Sequence, residues 1–335
     1  MFNNSNKTTK HSVNKCSVLF NKFRKCLVRT ASIITCTAIV ATSVTPAFAA
    51  GITSGTTAAS SYVISTEVST DTSVSWPQAP DITCESAILV DADTGSILYE
   101  KDAHRKCYPA STTKILTGLL TIENCNLSDT LTFSTAAANS INPIEDANLG
   151  MKAGEELTVE QALYALLLYS ANEVAMAEHL AGSESAFVDM MNNKARELGA
   201  IETHFANASG LYNPNHYTSA YDMAMIARGC YNNASFVNIV PPSSSYTIPA
   251  TNVTSTPRTI KHRHKMLKGR EFYYEYCKGG KTGFTDESLM TLVTFAEKDG
   301  MRLICVVFRS PDDSTRFIDT RSLFDWGFNN FKKST

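Results

Sequence analysis

The stretch YPASTTKILTGLLTIEN, Tyr108 to Asn124, decides how the rest of the chain is read. From Ile115 onward it is mostly apolar, with Leu116, Leu119 and Leu120 at the spacing of one buried helix face. Lys114 stands at the mouth of that run, three residues after Ser111. A lysine there either extends its ammonium to water or is held for chemistry. Residues three apart share a helix face, so the Lys114 amine can reach the Ser111 hydroxyl. A serine hydroxyl is a poor nucleophile until a base takes its proton. Desolvation beside other cations lowers a lysine's pKa and makes its neutral amine usable as that base. Ser111 at the helix start also feels the positive end of the helix dipole, which favours an oxyanion beside its backbone N–H.

Two more short stretches complete the pattern: Ser170-Ala171-Asn172, and Lys281-Thr282-Gly283 within CKGGKTGFTDE. S-x-x-K alone is weak; by itself it reads more readily as a cap with a snorkelling lysine, and S-x-N is weaker still. The three in this order, each at the boundary of an expected element, form a strong constellation.

Working outward, SAILVDADTGSILYEK has two β-type runs around Asp91–Gly95, a hairpin. TVEQALYALLLYSANEVAMAEHLAG is apolar at helical spacing and interrupted near Ser170. ESAFVDMMNNKARELGA is an amphipathic helix ending at Gly199, and TSAYDMAMIARGCYNN is another. After about residue 243 strand patterns return in SYTIPATNVT and GGKTGFTDESLMTLVTFAEKDGMRLICVVFRS, with a hairpin turn at Lys298-Asp299-Gly300. DDSTRFIDTRSLFDWGFNNF closes as a helix. Strands, helices, strands, helix predict an antiparallel sheet completed from both chain ends, with a helical subdomain over it. No internal repeat is visible.

The 335 residues suit one large domain or two ordinary ones, and the apolar fraction of 43% is that of a globular protein. The net charge of −2 hides an asymmetry. Residues 1–49 hold seven Lys/Arg and no acid, so the remainder carries 30 − 7 = 23 basic and 32 acidic residues, net −9. An acidic body argues against nucleic acid and against an anionic membrane surface as partners. The basic start, an apolar run from Ala31 to Val44 and Ala47-Phe48-Ala49 read as a secretory signal peptide over 1–49, with an uncleaved anchor as the alternative. Residues 50–81, rich in Ser, Thr and Ala, read as a linker, and the folded body is expected over 82–331. Its six cysteines (Cys84, Cys107, Cys125, Cys230, Cys277 and Cys305) allow disulfides or buried free thiols.

On PASTTKILTGL, GMKAGEELTVEQALYALLLYSANEVA, KTGFTDE and LFDWGFNNF, the sequence resembles the serine-type D-alanyl-D-alanine carboxypeptidases, low-molecular-mass penicillin-binding proteins. The resemblance spans about residues 82 to 331 and implies the α/β (α+β type) fold shared with serine β-lactamases. It implies that Ser111 is the acylated nucleophile and Lys114 its base. Ser170 would relay a proton to the leaving amine, Asn172 would hold the substrate's peptide group, and Lys281 would be the second cation. Thr282 would face the substrate's terminal carboxylate on the Gly283 strand, and the N–H groups of Ser111 and Phe284 would form the oxyanion hole. Arg316, on the closing helix, stands where the family places a carboxylate-binding arginine, although Asp312, Asp313 and Asp319 are within helical reach. The implied ligands are a peptidoglycan stem peptide ending in D-Ala-D-Ala and β-lactams as covalent inhibitors; no cofactor and no metal are implied.

Three places depart from the family pattern: Glu145-Asp146 before Gly150, ESLM after Asp286, and His262 and His264 where relatives often have asparagine. The two histidines are expected to be ordinary and partly exposed. Tyr164, Leu167 and Leu168 are expected in the core, and Asn207 in a turn. With residue 335 shortly after the body, the C-terminal β domain and membrane helix many relatives carry are not expected here. A β-lactamase is a rival reading, but Ala171 stands where S-D-N has its aspartate. A catalytically silent cell-wall binding protein is another.

Overall fold

The computed structural model describes residues 76–139, 147–172, 180–239 and 245–333. The expected signal peptide, nearly all of the linker, and Glu145-Asp146 lie outside the described residues. Pro77–Thr335 forms one compact unit, starting slightly before the expected residue 82. The early start has a physical cause. The Trp326 indole donates to Gln78 O at 2.8 Å, and the Thr83 and Cys84 N–H groups donate to Asp319 Oδ2 at 3.0 and 2.8 Å.

The strands are β1 Ser86–Asp91, β2 Ile97–Lys101, β3 Thr130–Thr132, β4 Glu156–Thr158, β5 Ser245–Ile248, β6 Arg258–Lys261, β7 Cys277–Thr285, β8 Leu289–Lys298 and β9 Met301–Ser310. Five of them make an antiparallel sheet in the order β2-β1-β9-β8-β7, so the two chain ends meet where β1 pairs with β9. The β8–β9 turn carries Asp299 and Gly300, both at positive φ, as a tight two-residue hairpin demands. The principal helices are α1 Lys114–Asn124, α2 Val159–Tyr164, α3 Glu184–Glu197, α4 Ala220–Tyr231 and α5 Asp313–Asn330.

Alternation along the central strands splits the interior in two. Ile88, Val90, Val293, Phe295, Ile304 and Val306 face the helical subdomain, where α1 contributes Ile115 and Leu119. Ala87, Leu89, Leu292, Leu303, Cys305 and Val307 face α5 through Phe317, Leu323 and Phe324. β1 is buried along its whole length, which is why it reads as a continuous apolar run. Leu167 and Leu168 are core residues, and Tyr164 stacks on Tyr246 with centroids 4.0 Å apart. Among the described residues, Cys84, Cys107, Cys230, Cys277 and Cys305 are buried free thiols.

The histidines correct the sequence reading. His262 and His264 are 1% and 0% exposed rather than partly exposed. They follow β6 and fold inward, where His264 Nε2 meets Thr294 Oγ1 of β8 at 2.9 Å. The His264 N–H donates to His262 Nδ1 at 3.0 Å. A two-residue alternation shows that two side chains share a face, but not whether that face is covered.

Candidate active site

The site lies where β7, an edge strand, meets the start of α1 and the segment around Ser170. Ser111 sits in a short 3₁₀ turn, Ala110–Thr113, that runs into α1. The turn is entered through Ala110 at φ +48°, a left-handed conformation uncommon for alanine. Thr112 Oγ1 and Thr291 Oγ1 both donate to Pro109 O, at 2.7 and 3.0 Å, and brace the turn from inside and from β8. His216 Nε2 meets Thr113 Oγ1 at 2.8 Å, and the Ala206 N–H donates to His216 Nδ1 at 3.1 Å. With Nδ1 accepting, the proton of the neutral ring belongs on Nε2. Burial, then the charges of His204 and Lys114, push the pKa of His216 down to about 3.

Lys114 is 0% exposed. Its Nζ donates to Ser111 Oγ at 3.0 Å, to Asn172 Oδ1 at 2.7 Å and to Ser209 O. An ammonium offers three donors, and these oxygens accept from it. When the amine is neutral, two N–H bonds can stay on Asn172 and Ser209 while the lone pair faces the Ser111 hydroxyl. Ser209 was not legible in the sequence, because its contribution is a backbone carbonyl. It is placed by Asn207, whose Oδ1 accepts the Gly210 N–H at 2.7 Å, so Asn207 is the turn residue expected.

Ser170 follows a π-helical turn, Ala165–Tyr169, and is left-handed at φ 69°. A strained residue there re-aims its side chain: Ser170 Oγ accepts from Lys281 Nζ at 2.9 Å. Lys281 also donates to Thr282 O at 2.8 Å. Burial, reinforced by Lys114, Arg263 and Arg316, drives the Lys281 pKa well below that of an ordinary lysine. Gly283 explains the glycine of K-T-G. A Cβ there would stand 2.3 Å from Thr291 Oγ1 and 2.9 Å from the Ser111 N, so only glycine lets β7 run against Ser111.

A cleft of about 390 Å³ brings together Ser111, Ser170, Asn172, Thr282, Gly283, Phe284 and Arg316. The two lysines lie beneath it, joined to Ser111 and Ser170. Phe284 is 53% exposed on the rim. Arg316 is 7% exposed; its Nη1 donates to Gly283 O and Thr291 O and its Nη2 to Asp313, while its buried Nε meets no acceptor among the described residues. Arg263, Lys265 and Arg270 also line the cleft and were not singled out from the sequence; Asp313, expected within helical reach of Arg316, lines it too and pairs with that arginine. Charge at such positions carries no local pattern. No group of three or more His, Cys, Asp or Glu among the described residues could hold a metal.

A profile of the D-alanyl-D-alanine carboxypeptidase family matches residues 73–312. The chain belongs to that family. It is 34% identical over 259 residues to the D-alanyl-D-alanine carboxypeptidase DacF of Bacillus subtilis, covering 74% of this chain and 63% of the relative. It is 30% identical to DacD of Escherichia coli, covering 76% and 66%. The match thus spans about two thirds or less of these two relatives' lengths. Among solved structures, a Mycobacterium tuberculosis D-alanyl-D-alanine carboxypeptidase superposes with a TM-score of 0.69 at 30% identity, over 76% of this chain and 95% of that one. The Streptomyces K15 DD-transpeptidase gives 0.68 at 27% identity, over 75% and 99%. The penicillin-binding-protein fold is therefore the fold of this family member.

Proposed function

We propose that this protein is a penicillin-sensitive serine DD-carboxypeptidase that removes the terminal D-alanine from peptidoglycan stem peptides. One observation carries the reading: a buried lysine amine lies 3.0 Å from the Ser111 hydroxyl and donates also to Asn172 Oδ1 and Ser209 O.

In the reaction, Lys114 takes the Ser111 proton while Oγ attacks the carbonyl of the D-Ala-D-Ala peptide bond. The oxyanion forms beside the backbone N–H groups of Ser111 and Phe284, and the Asn172 amide holds the substrate's peptide group. The leaving amine needs a proton, and the Ser170 hydroxyl delivers it, resupplied through Lys281. The C–N bond breaks, D-alanine leaves, and water hydrolyses the ester to regenerate Ser111. A β-lactam follows the same course as far as the ester, but its opened ring keeps the leaving amine tethered. The cationic end of the cleft suits a ligand's terminal carboxylate.

Residues 82–331 are the catalytic domain in this reading, exported behind a signal peptide over 1–49 and a linker over 50–81. The site then acts outside the cytoplasm, at the cell wall. Among the described residues, no helix is long and apolar enough to cross a membrane.

Incubation with benzylpenicillin and with a D-Ala-D-Ala peptide tests the function. A single penicilloyl adduct on Ser111 and release of D-alanine are expected. Neither adduct nor release would mark a silent wall-binding protein. Rapid repeated turnover of penicillin would mark a β-lactamase. Transfer to an added amine in preference to water would mark a transpeptidase.

A further inference from the structure

Lys281 Nζ reaches Ser170 Oγ at 2.9 Å, across 111 residues of chain. One short segment, His262-Arg263-His264 after β6, touches the supports of both. On one side the Arg263 N–H donates to Leu168 O at 2.9 Å, inside the π-helical turn that ends at Ser170. On the other, His264 Nε2 meets Thr294 Oγ1 of β8 at 2.9 Å. Thr294 is the cross-strand partner of Gly280, and Lys281 is the next residue along β7. A Cβ on Gly280 would stand 2.0 Å from Val293 O and 3.0 Å from His264 Nε2, so the imidazole lies close against the Gly280 backbone. β7 is irregular just before this point, its register shifting between Cys277 and Gly279. A bulge re-aims the side chains beside it, so the direction of Lys281 depends on what holds Gly280.

The two rings are built as neutral spacers. The His264 N–H donates to His262 Nδ1 at 3.0 Å, and the Met266 N–H donates to His264 Nδ1 at 3.3 Å. With each Nδ1 accepting, each neutral ring carries its proton on Nε2. His264 therefore donates to Thr294, while the buried Nε2 of His262 has no acceptor among the described residues. A buried donor without a partner calls for a reason. The charged groups that face the two rings are cations: Lys281 and Arg270 at His262, Arg316 and Lys281 at His264. A carboxylate placed there to accept from His262 would also pair with Lys281 and hold its proton. The partners of Lys281 are instead uncharged, Ser170 Oγ and Thr282 O.

We propose that His264 is a positioning residue for the leaving-group step: bonded to Thr294 and tied through Arg263 to the Ser170 turn, it holds Lys281 at the Ser170 hydroxyl. This rests on the carboxypeptidase reading, in which the C–N bond breaks as the leaving nitrogen takes the Ser170 proton and Lys281 replaces it.

The test measures kcat/KM for a D-Ala-D-Ala peptide and for a thioester of the same acyl group, on the wild type, His264→Ala, His264→Gln and Thr294→Val. The thioester loses its C–S bond, and the thiolate leaves with the electron pair and needs no proton. His264→Ala should lose about 10- to 100-fold on the peptide and change little on the thioester. His264→Gln, whose amide N–H can reach Thr294 Oγ1, should regain most of the peptide rate. Thr294→Val keeps the side-chain shape, removes the acceptor and should show the same selective loss; it carries the test if His264→Ala does not fold. Equal loss on both substrates would reduce the segment to a scaffold and overturn the proposal, as would an unchanged peptide rate. Failure of the wild type to form an ester with the thioester, the peptide or benzylpenicillin would instead overturn the carboxypeptidase reading beneath it.

Discussion

Three histidines buried beside cations should make this protein sensitive to mild acid. The perturbation is a shift from pH 8 to pH 5. Burial, then the charges of Lys281 and Arg270, holds His262 at a pKa of about 3, and His216 is also at about 3. His264 lies well below the ordinary value, again through burial and then His262, Arg316 and Lys281. The sign follows from proton binding. The unfolded chain takes up these protons below about pH 6.5 and the folded protein does not, so stability is intact above pH 6.5 and falls as pH drops toward 3. At pH 5 an unfolded imidazole at 6.5 against a folded one near 3 costs the fold about 2 kcal/mol. His216 and His262 together cost about 4 kcal/mol, and His264 adds to it, against a total stability of order 5–15 kcal/mol. Carboxylates lowered by ion pairs, such as Glu155 at about 2, titrate below this window. Asp222, raised by burial, acts in the opposite sense but equally in every variant compared. Urea denaturation at pH 8, 6.5 and 5 reads the loss, and calorimetry in buffers of different ionisation heat reads proton uptake on unfolding. His262→Asn, which keeps an acceptor for the His264 N–H, should recover about 2 kcal/mol of the pH 8-to-5 loss and remove about one proton of uptake. A His262→Asn curve parallel to the wild type, or uptake of less than one proton in the wild type at pH 5, would refute buried neutral histidines.

Other outcomes follow from the site. Ser111→Ala should fold normally and take up no penicillin by intact mass; an adduct retained on that variant would remove Ser111 from its role. Lys114→Ala should cut the acylation rate by about 10²–10⁴-fold or more, read by stopped adduct formation. Gly283→Ala, whose Cβ would crowd Thr291 Oγ1 and the Ser111 N, should slow acylation far more than it lowers the melting temperature; wild-type acylation kinetics would contradict the close approach of β7. N-terminal sequencing of the exported protein should begin at Ala50; a retained Met1 on membrane-bound protein would show an anchor instead.

Local pattern made much of this protein legible. Apolar β-type runs mark β8 and β9, period 3.6 marks α1 and α3, and Asp299-Gly300 marks the turn, because each depends on neighbours within a few residues. S-x-x-K belongs to the same class, since helical geometry alone brings residues three apart together. The meeting of Ser170 with Lys281 is another matter. It spans 111 residues and depends on a left-handed serine after a π turn, which no composition signals. Burial was also beyond the sequence. His262 and His264 looked like surface residues because the groups that cover them, Thr294 and Phe317 among them, arrive 30 or more residues later. The same holds for Arg316. Its place on the closing helix was readable, but its engagement with Gly283, Thr291 and Asp313 was set only when α5 docked against the sheet. Sequence supplies the reactive groups and their local spacing; their charge states and free donors depend on desolvation and long-range packing, which exist only in the folded chain.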